Sequence, residues 1–193
     1  MRKLVFDIET RNDWREMSVN DPSKLDLSLI GVYDYESDSY SSYLQEELPK
    51  LWPLLERSDM LIGFNSDHFD IPVLSKYYPG NIRSIKSLDI MKEVRTSIGR
   101  RVSLDQIAEG TLSAKKSGSG LQAVEWWKKG DIENLRKYCL QDVKITKEIY
   151  DYALKHSHLK FREGGKDNLI PLQTSKWEEK SPETASRTFS LPF

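Results

Sequence analysis

The chain has 193 residues, 38% hydrophobic and 31% charged, with a formal net charge of -1 at pH 7; this suits one domain burying roughly 70% of its unfolded surface. Near-neutral charge neither favours nor excludes nucleic acid, because a local basic patch vanishes in the sum. A single cysteine, Cys139, excludes an intramolecular disulfide framework and a cysteine-based zinc site; no apolar run approaches about 18 residues, which excludes a membrane-spanning helix, and the short run after Lys3 is no signal peptide.

Lys3-Leu4-Val5-Phe6-Asp7-Ile8-Glu9 is an apolar run whose two carboxylates stand two positions apart, on one face of a strand. It holds no Pro or Gly, which predicts a central strand. Two acids on one face of a core strand need a counter-charge, and a divalent cation supplies one. The plain alternative is an edge strand with a wet face. Residues 11–24 read as a polar loop containing Pro22. Residues 27–35 alternate as a strand, 36–38 turn, and 39–43 form a thin third strand, so the sheet opens as an antiparallel meander.

From Glu46 the period becomes helical through Leu48, Leu51, Trp52 and Leu55, with Pro49 in the first turn. Residues 59–64 are a short apolar strand reached by a right-handed crossover. Asn65-Ser66-Asp67 reads as a strand end and helix N-cap, with Phe69, Ile71, Val73, Leu74 and Tyr77 as the helical face before Pro79-Gly80. Residues 82–90 form a weak strand leading to Asp89, followed by a basic stretch over 92–101. Ser103 and Gln106 have capping-box spacing.

Residues 115–120 are a basic Gly/Ser loop without a preceding strand or a GxxxxGK pattern, so they are no phosphate-cradling P-loop. A short helix over 122–129 carries Trp126-Trp127, one ring expected in the core and one outside, and ends at Gly130. A long helix runs from Asp131, its N-cap, to about residue 154, with Leu135, Tyr138, Asp142, Ile145, Ile149 and Tyr152 on one face. Residues 1–154 are expected to form the main domain. Residues 155–193 are an extension: a hairpin built from 158–161 and 168–172, then a flexible tail after Trp177.

Asp7, Glu9, Asp70 and Asp142 stand out as a constellation. Separately, Asp70 suits the first turn of a helix and Asp142 a helix rim. Jointly they share one explanation, since four carboxylates cannot share a dry pocket without cations. Two hard divalent ions about 3.5–4 Å apart clamp the attacking and leaving oxygens of a phosphoryl displacement, and Mg²⁺ or Mn²⁺ suits an all-oxygen set. Tyr138 lies one turn before Asp142. With an ordinary pKa near 10 it is a poor base, better used to orient a metal-bound water; packing in the core is its common alternative use.

Three motifs resemble the DEDD-type 3′-5′ exonucleases of the Tyr-containing (DEDDy) branch, which includes the proofreading domains of family B DNA polymerases and stand-alone ribonuclease H-like relatives. Phe6-Asp7-Ile8-Glu9-Thr10 is similar to the first motif, Gly63-Phe64-Asn65-Ser66-Asp67-His68-Phe69-Asp70 to the second, and Tyr138-Cys139-Leu140-Gln141-Asp142 to the third. The resemblance covers about residues 1–154 and implies an α/β fold: a ribonuclease H-like mixed sheet, a three-strand meander plus parallel strands, flanked by helices. It implies Asp7, Glu9, Asp70 and Asp142 as ligands of two Mg²⁺ or Mn²⁺ ions, with Tyr138 as the fifth catalytic residue and Asn65 at the substrate edge of the cleft. The loop over 115–120, the Trp126-Trp127 helix and the extension point to a stand-alone subgroup.

The expected activity is hydrolysis of the terminal phosphodiester at 3′ ends of single-stranded nucleic acid, DNA ahead of RNA. Thr10, Phe64, Asn65 and Phe69 are expected to contact substrate beside the carboxylates. Arg95, Arg100 and Arg101, with Lys115 and Lys116 in the Gly/Ser loop, are candidates for its phosphates, against the bland alternative of a solvated surface. Two other functions compete: an aspartyl-phosphate phosphatase with Asp7 as nucleophile, which Glu9 argues against, and a catalytically weak or inactive nuclease-like module that binds nucleic acid or recruits a partner. The expected setting is soluble and intracellular, cytoplasmic or nucleoid-associated, as a monomer. A replication or repair protein is a candidate partner.

Overall fold

The structure, a computed structural model, describes residues 1–17, 20–114 and 120–179. Residues 115–119 of the loop expected over 115–120, and residues 180–193 of the tail expected after Trp177, lie outside the described residues. In chain order the elements are β1 (Lys3–Thr10), a single turn α1 (Trp14–Met17), β2 (Leu27–Asp34), β3 (Ser39–Leu44), α2 (Trp52–Arg57), β4 (Met60–Gly63) and α3 (Asp70–Leu74). There follow β5 (Lys86–Asp89), α4 (Ile90–Ile98), α5 (Leu104–Leu112), α6 (Gly120–Lys129), α7 (Ile132–His156), β6 (His158–Glu163) and β7 (Lys166–Pro171).

Five strands form a mixed sheet in the order β3-β2-β1-β4-β5, so β1 is central. The meander β1-β2-β3 is antiparallel, and β4 and β5 run parallel to β1. Both faces of β1 are covered. Leu4, Phe6 and Ile8 pack into a cluster with Leu51, Leu55, Ile71 and Leu74. Val5 packs on the opposite face with Val143, Ile145 and Ile149 of α7, and period-2 alternation places Asp7 and Glu9 on that same face.

β4 pairs with β1 only from Lys3 to Val5. Beyond Val5, β1 continues to Thr10 against β2 alone. The sheet therefore opens at the carboxyl ends of its parallel strands, where strand direction changes, the usual position of a ligand crevice in α/β sheets. The last helix closes over it. Gly31 of β2, paired with Asp7, permits that approach: a Cβ there would lie 2.9 Å from Cys139 Sγ and 3.0 Å from Val143.

Several local expectations are corrected. The helix expected from Glu46 is a 3-10 turn (Gln45–Lys50) followed by α2, because Pro49 and Pro53 cannot donate to a continuous helix. Asn65-Ser66-Asp67 does not cap a helix: Asn65 is left-handed, with φ of 64°, and the Asp67 carboxylate is taken by Ser87 and Lys92. The helix starts at Asp70 and ends at Leu74, before Tyr77. Within the basic stretch lies a regular helix, α4, capped by the Asp89 side chain on Lys92 N–H. The Ser103–Gln106 capping box and the Asp131 N-cap form as expected.

The hairpin β6-β7 pairs from His158↔Pro171 to Glu163↔Lys166. It is continuous with the main core, since Leu159, Phe161, Ile170 and Leu172 share a cluster with α4, α5 and α7. The chain then returns to the sheet. Trp177 is buried, stacked on Tyr150 at 5.9 Å and 13°, with Nε1–H donating to Glu93 at 3.0 Å.

Candidate active site

A cleft of about 430 Å³ opens where β1 outruns β4, and Asp7, Glu9, Thr10, Phe64, Asn65, Phe69, Asp70, Tyr138 and Asp142 all line it. Three distant segments thus meet there. β1 supplies Asp7 and Glu9 by alternation, and α7 supplies Tyr138 and Asp142 by the four-residue helical step. Asp70 arrives by another route, a hydrogen bond. Ile8 N–H lies beyond the reach of β4 and donates instead to Asp70 Oδ1 at 2.9 Å.

Glu9, Asp70, Asp142 and Tyr138 are buried and Asp7 is half-buried. Crowding of acids away from water has the consequence expected of it. Burial pushes the Asp70 carboxyl up to about 7, with the Asp89 and Asp142 charges adding to the shift and the Ile8 N–H opposing it. Burial also raises Tyr138 far above the usual phenol range, helped by the charges of Asp142, Glu9 and Asp7 and by a hydrogen bond with Asp142. Its hydroxyl is therefore a fixed neutral group. The ring is packed against Trp126 at 5.7 Å.

Carboxylate oxygens of Asp7 and Glu9 and Cys139 Sγ lie within 4.8 Å of one another, a group that could hold a metal ion. The sulfur is the odd member. Burial, then the charges of Asp7, Glu9 and Asp142, holds the thiol well above its usual range, and Sγ donates to the Asp7 carbonyl at 3.4 Å. Soft sulfur suits soft metals, and this one is engaged with the Asp7 carbonyl. The remaining donors are oxygens, which match a hard cation.

Asp89 is a residue that sequence reasoning passed over. Buried at the end of β5, it accepts from the backbone N–H of Asn65 at 2.8 Å and of Asp67 at 3.1 Å, holding the turn that delivers Phe69 and Asp70. An Asp after a strand and before a helix was the available signal. The far wall of the cleft was also not legible: Leu25, Asp13, and Gly120, Leu121 and Val124 of α6. α6 is fastened to the segment after β1 by Arg11 over the Trp127 ring at 4.6 Å and by the Lys128–Glu16 ion pair. Neither Trp126 nor Trp127 is fully in or out: both are half-buried against the cluster of Leu29, Ala123, Leu135, Tyr138 and Cys139.

The two arginines part company. Arg101 donates to Asn65 Oδ1 at 2.6 Å at the edge of the cleft, whereas Arg100 pairs with Glu163 at 2.8 Å and covers Phe161 on the hairpin. Arg100 does not line this cleft. Lys115 and Lys116 lie outside the described residues.

A central strand antiparallel on one side and parallel on the other, with acids where the sheet opens, defines a mixed-sheet α/β protein with an acidic cleft. The family is specific: residues 4–154 match the model of the RNase H superfamily, and the chain belongs to that superfamily. None of the curated proteins matches the chain. Among solved structures it is similar to the family B DNA polymerase of the hyperthermophilic archaeon Pyrobaculum calidifontis, with a TM-score of 0.63 and 19% identity over 80% of this chain and 24% of that one. It is also similar to Trypanosoma brucei RNase D, with a TM-score of 0.54 and 15% identity over 78% of this chain and 56% of that one. At these identities the likeness is one of fold, and the chain spans about a quarter of the first protein and just over half of the second. Among the described residues no helix is long and apolar enough to cross a membrane.

Proposed function

We propose that the protein is a metal-dependent 3′-5′ exonuclease of the Tyr-containing branch, removing terminal nucleotides from single-stranded nucleic acid, DNA ahead of RNA. The observation that carries this reading is the meeting of Asp7, Glu9, Asp70, Asp142 and Tyr138 on one cleft. Asp7, Glu9, Asp70 and Asp142 would hold two Mg²⁺ or Mn²⁺ ions, which when bound offset phosphate charge and lower the pKa of a water. Tyr138, whose hydroxyl is hydrogen-bonded to Asp142, would orient a water there and not deprotonate it. Phe64, Phe69 and Leu121 offer apolar faces to the terminal base, and Thr10 and Asn65 add polar groups to the same lining.

The test is digestion of strands labelled at the 3′ or the 5′ end, with Mg²⁺ or Mn²⁺ and with chelator. Stepwise shortening from the 3′ end that needs metal and disappears in Asp7→Ala is expected. Substrates left intact at high enzyme, or digestion that persists in Asp7→Ala, would overturn the proposal.

A further inference from the structure

Beside the acidic cleft lies a second one of about 450 Å³, lined by Asn65, Asp67, His68, Asp89, Met91, Lys92, Arg95 and Arg101. The two share Asn65. Their charges are opposite. Among its described residues the first cleft carries five carboxylates, Asp7, Glu9, Asp13, Asp70 and Asp142, and no Lys or Arg. The second carries three cationic side chains. Lys92 is neutralised by Asp67 at 3.0 Å, and Asp89 is buried and committed to backbone N–H groups. Arg101 is held by the neutral amide of Asn65, so its charge is not cancelled, and among the described residues no carboxylate pairs with Arg95. Each cleft has the size of a small-ligand site.

From this contrast we infer that the second cleft is a phosphate-backbone subsite. It would hold the nucleic-acid strand on the 5′ side of the nucleotide in the acidic cleft, with Arg95 and Arg101 as its phosphate contacts. The inference rests on the exonuclease reading for which end lies in the first cleft. A polyanion gains nothing from five carboxylates without cations, so fixed protein charges must lie further along the chain. Arg101 also explains why the strand would cross at Asn65. With Oδ1 occupied by Arg101, Asn65 presents its amide N–H₂ as the donor it has left, on the ridge common to both clefts.

The experiment is fluorescence anisotropy with a 5′-labelled dinucleotide and octanucleotide, as DNA and as RNA, in calcium across a salt series. Wild type is compared with Arg95→Gln and Arg95→Gln/Arg101→Gln. Both arginines are exposed, so folding is checked by an unchanged melting temperature of Arg95→Gln. Wild type should bind the octamer more tightly than the dimer. Each arginine removed should weaken octamer binding and lower the slope of log Kd against log salt by about one. Absence of octamer binding by wild type, or an unchanged slope in the double variant, overturns the inference. Arginine-dependent binding without any hydrolysis by wild type would retire the exonuclease reading alone. Metal-dependent hydrolysis with binding indifferent to both arginines would retire the subsite alone.

Discussion

The backbone N–H of Ile8 donates to the carboxylate of Asp70 at 2.9 Å, tying the strand of Asp7 and Glu9 to the first turn of α3. That donor has no strand partner because β4 stops pairing at Val5. One bond thus satisfies a buried backbone group and sets where the third acid stands.

Asp70 gives the metal-free protein a pH signature. Its carboxyl titrates near 7 when folded, against an ordinary value of 3.8. Between these values the folded protein binds one proton more than the unfolded chain. Stability therefore falls as pH rises from about 4 to about 7, by an amount on the order of a few kcal/mol, and levels off above that. Asp70→Asn removes this contribution. Urea unfolding in chelator should show a flatter slope for the variant through this window, and identical slopes would contradict the assignment.

Tyr138→Phe separates orientation from base catalysis. The ring keeps its contact with Trp126 and only the hydroxyl is lost. Turnover should fall by about 100-fold, with stability within about 1 kcal/mol of wild type. No limb of the pH–rate profile should vanish if the hydroxyl orients the water and exchanges no proton with it. Loss of an alkaline limb in the variant would point to a base instead.

Gly63→Ala tests how the second motif is set. A Cβ at Gly63 would meet Ser66 Cβ at 2.4 Å and its Oγ at 2.5 Å, too close for either to remain in place. Such overpacking costs about 1–3 kcal/mol and should move the turn carrying Asp70, reducing activity as well. Ser66→Gly in the same chain removes the clash. A double-mutant cycle should therefore be strongly non-additive, and additive effects would mean the turn tolerates the methyl group.

Trp177→Ala asks whether the segment after the hairpin belongs to the core. The buried ring rests on Tyr150 and bonds Glu93, while Glu178 pairs with Lys3 and Tyr150 at the foot of β1. The substitution should cost about 3–5 kcal/mol by thermal unfolding. A chain ended at residue 154 should fail to give a soluble folded protein, since it uncovers the surface that Leu159, Phe161, Ile170 and Trp177 bury. A stable, active 1–154 fragment would show that the extension is dispensable.

What the sequence alone determined is what repeats locally. Two-residue spacing put Asp7 and Glu9 on one face, a four-residue step aligned Tyr138 with Asp142, and Ser103 with Gln106 announced a helix start. The meander, the long helix and the C-terminal hairpin followed from the same periodicities. Tertiary structure decided everything that depends on which chain segments lie side by side. It set β1 between β2 and β4, made Asp89 the anchor of the Asn65 turn, and brought α6 across the cleft. It also sent adjacent Arg100 and Arg101 to different places, one to the hairpin and one to Asn65. Neighbours in sequence share a backbone period, but partners 24 to 36 residues apart are chosen by strand order and packing, which no local pattern encodes.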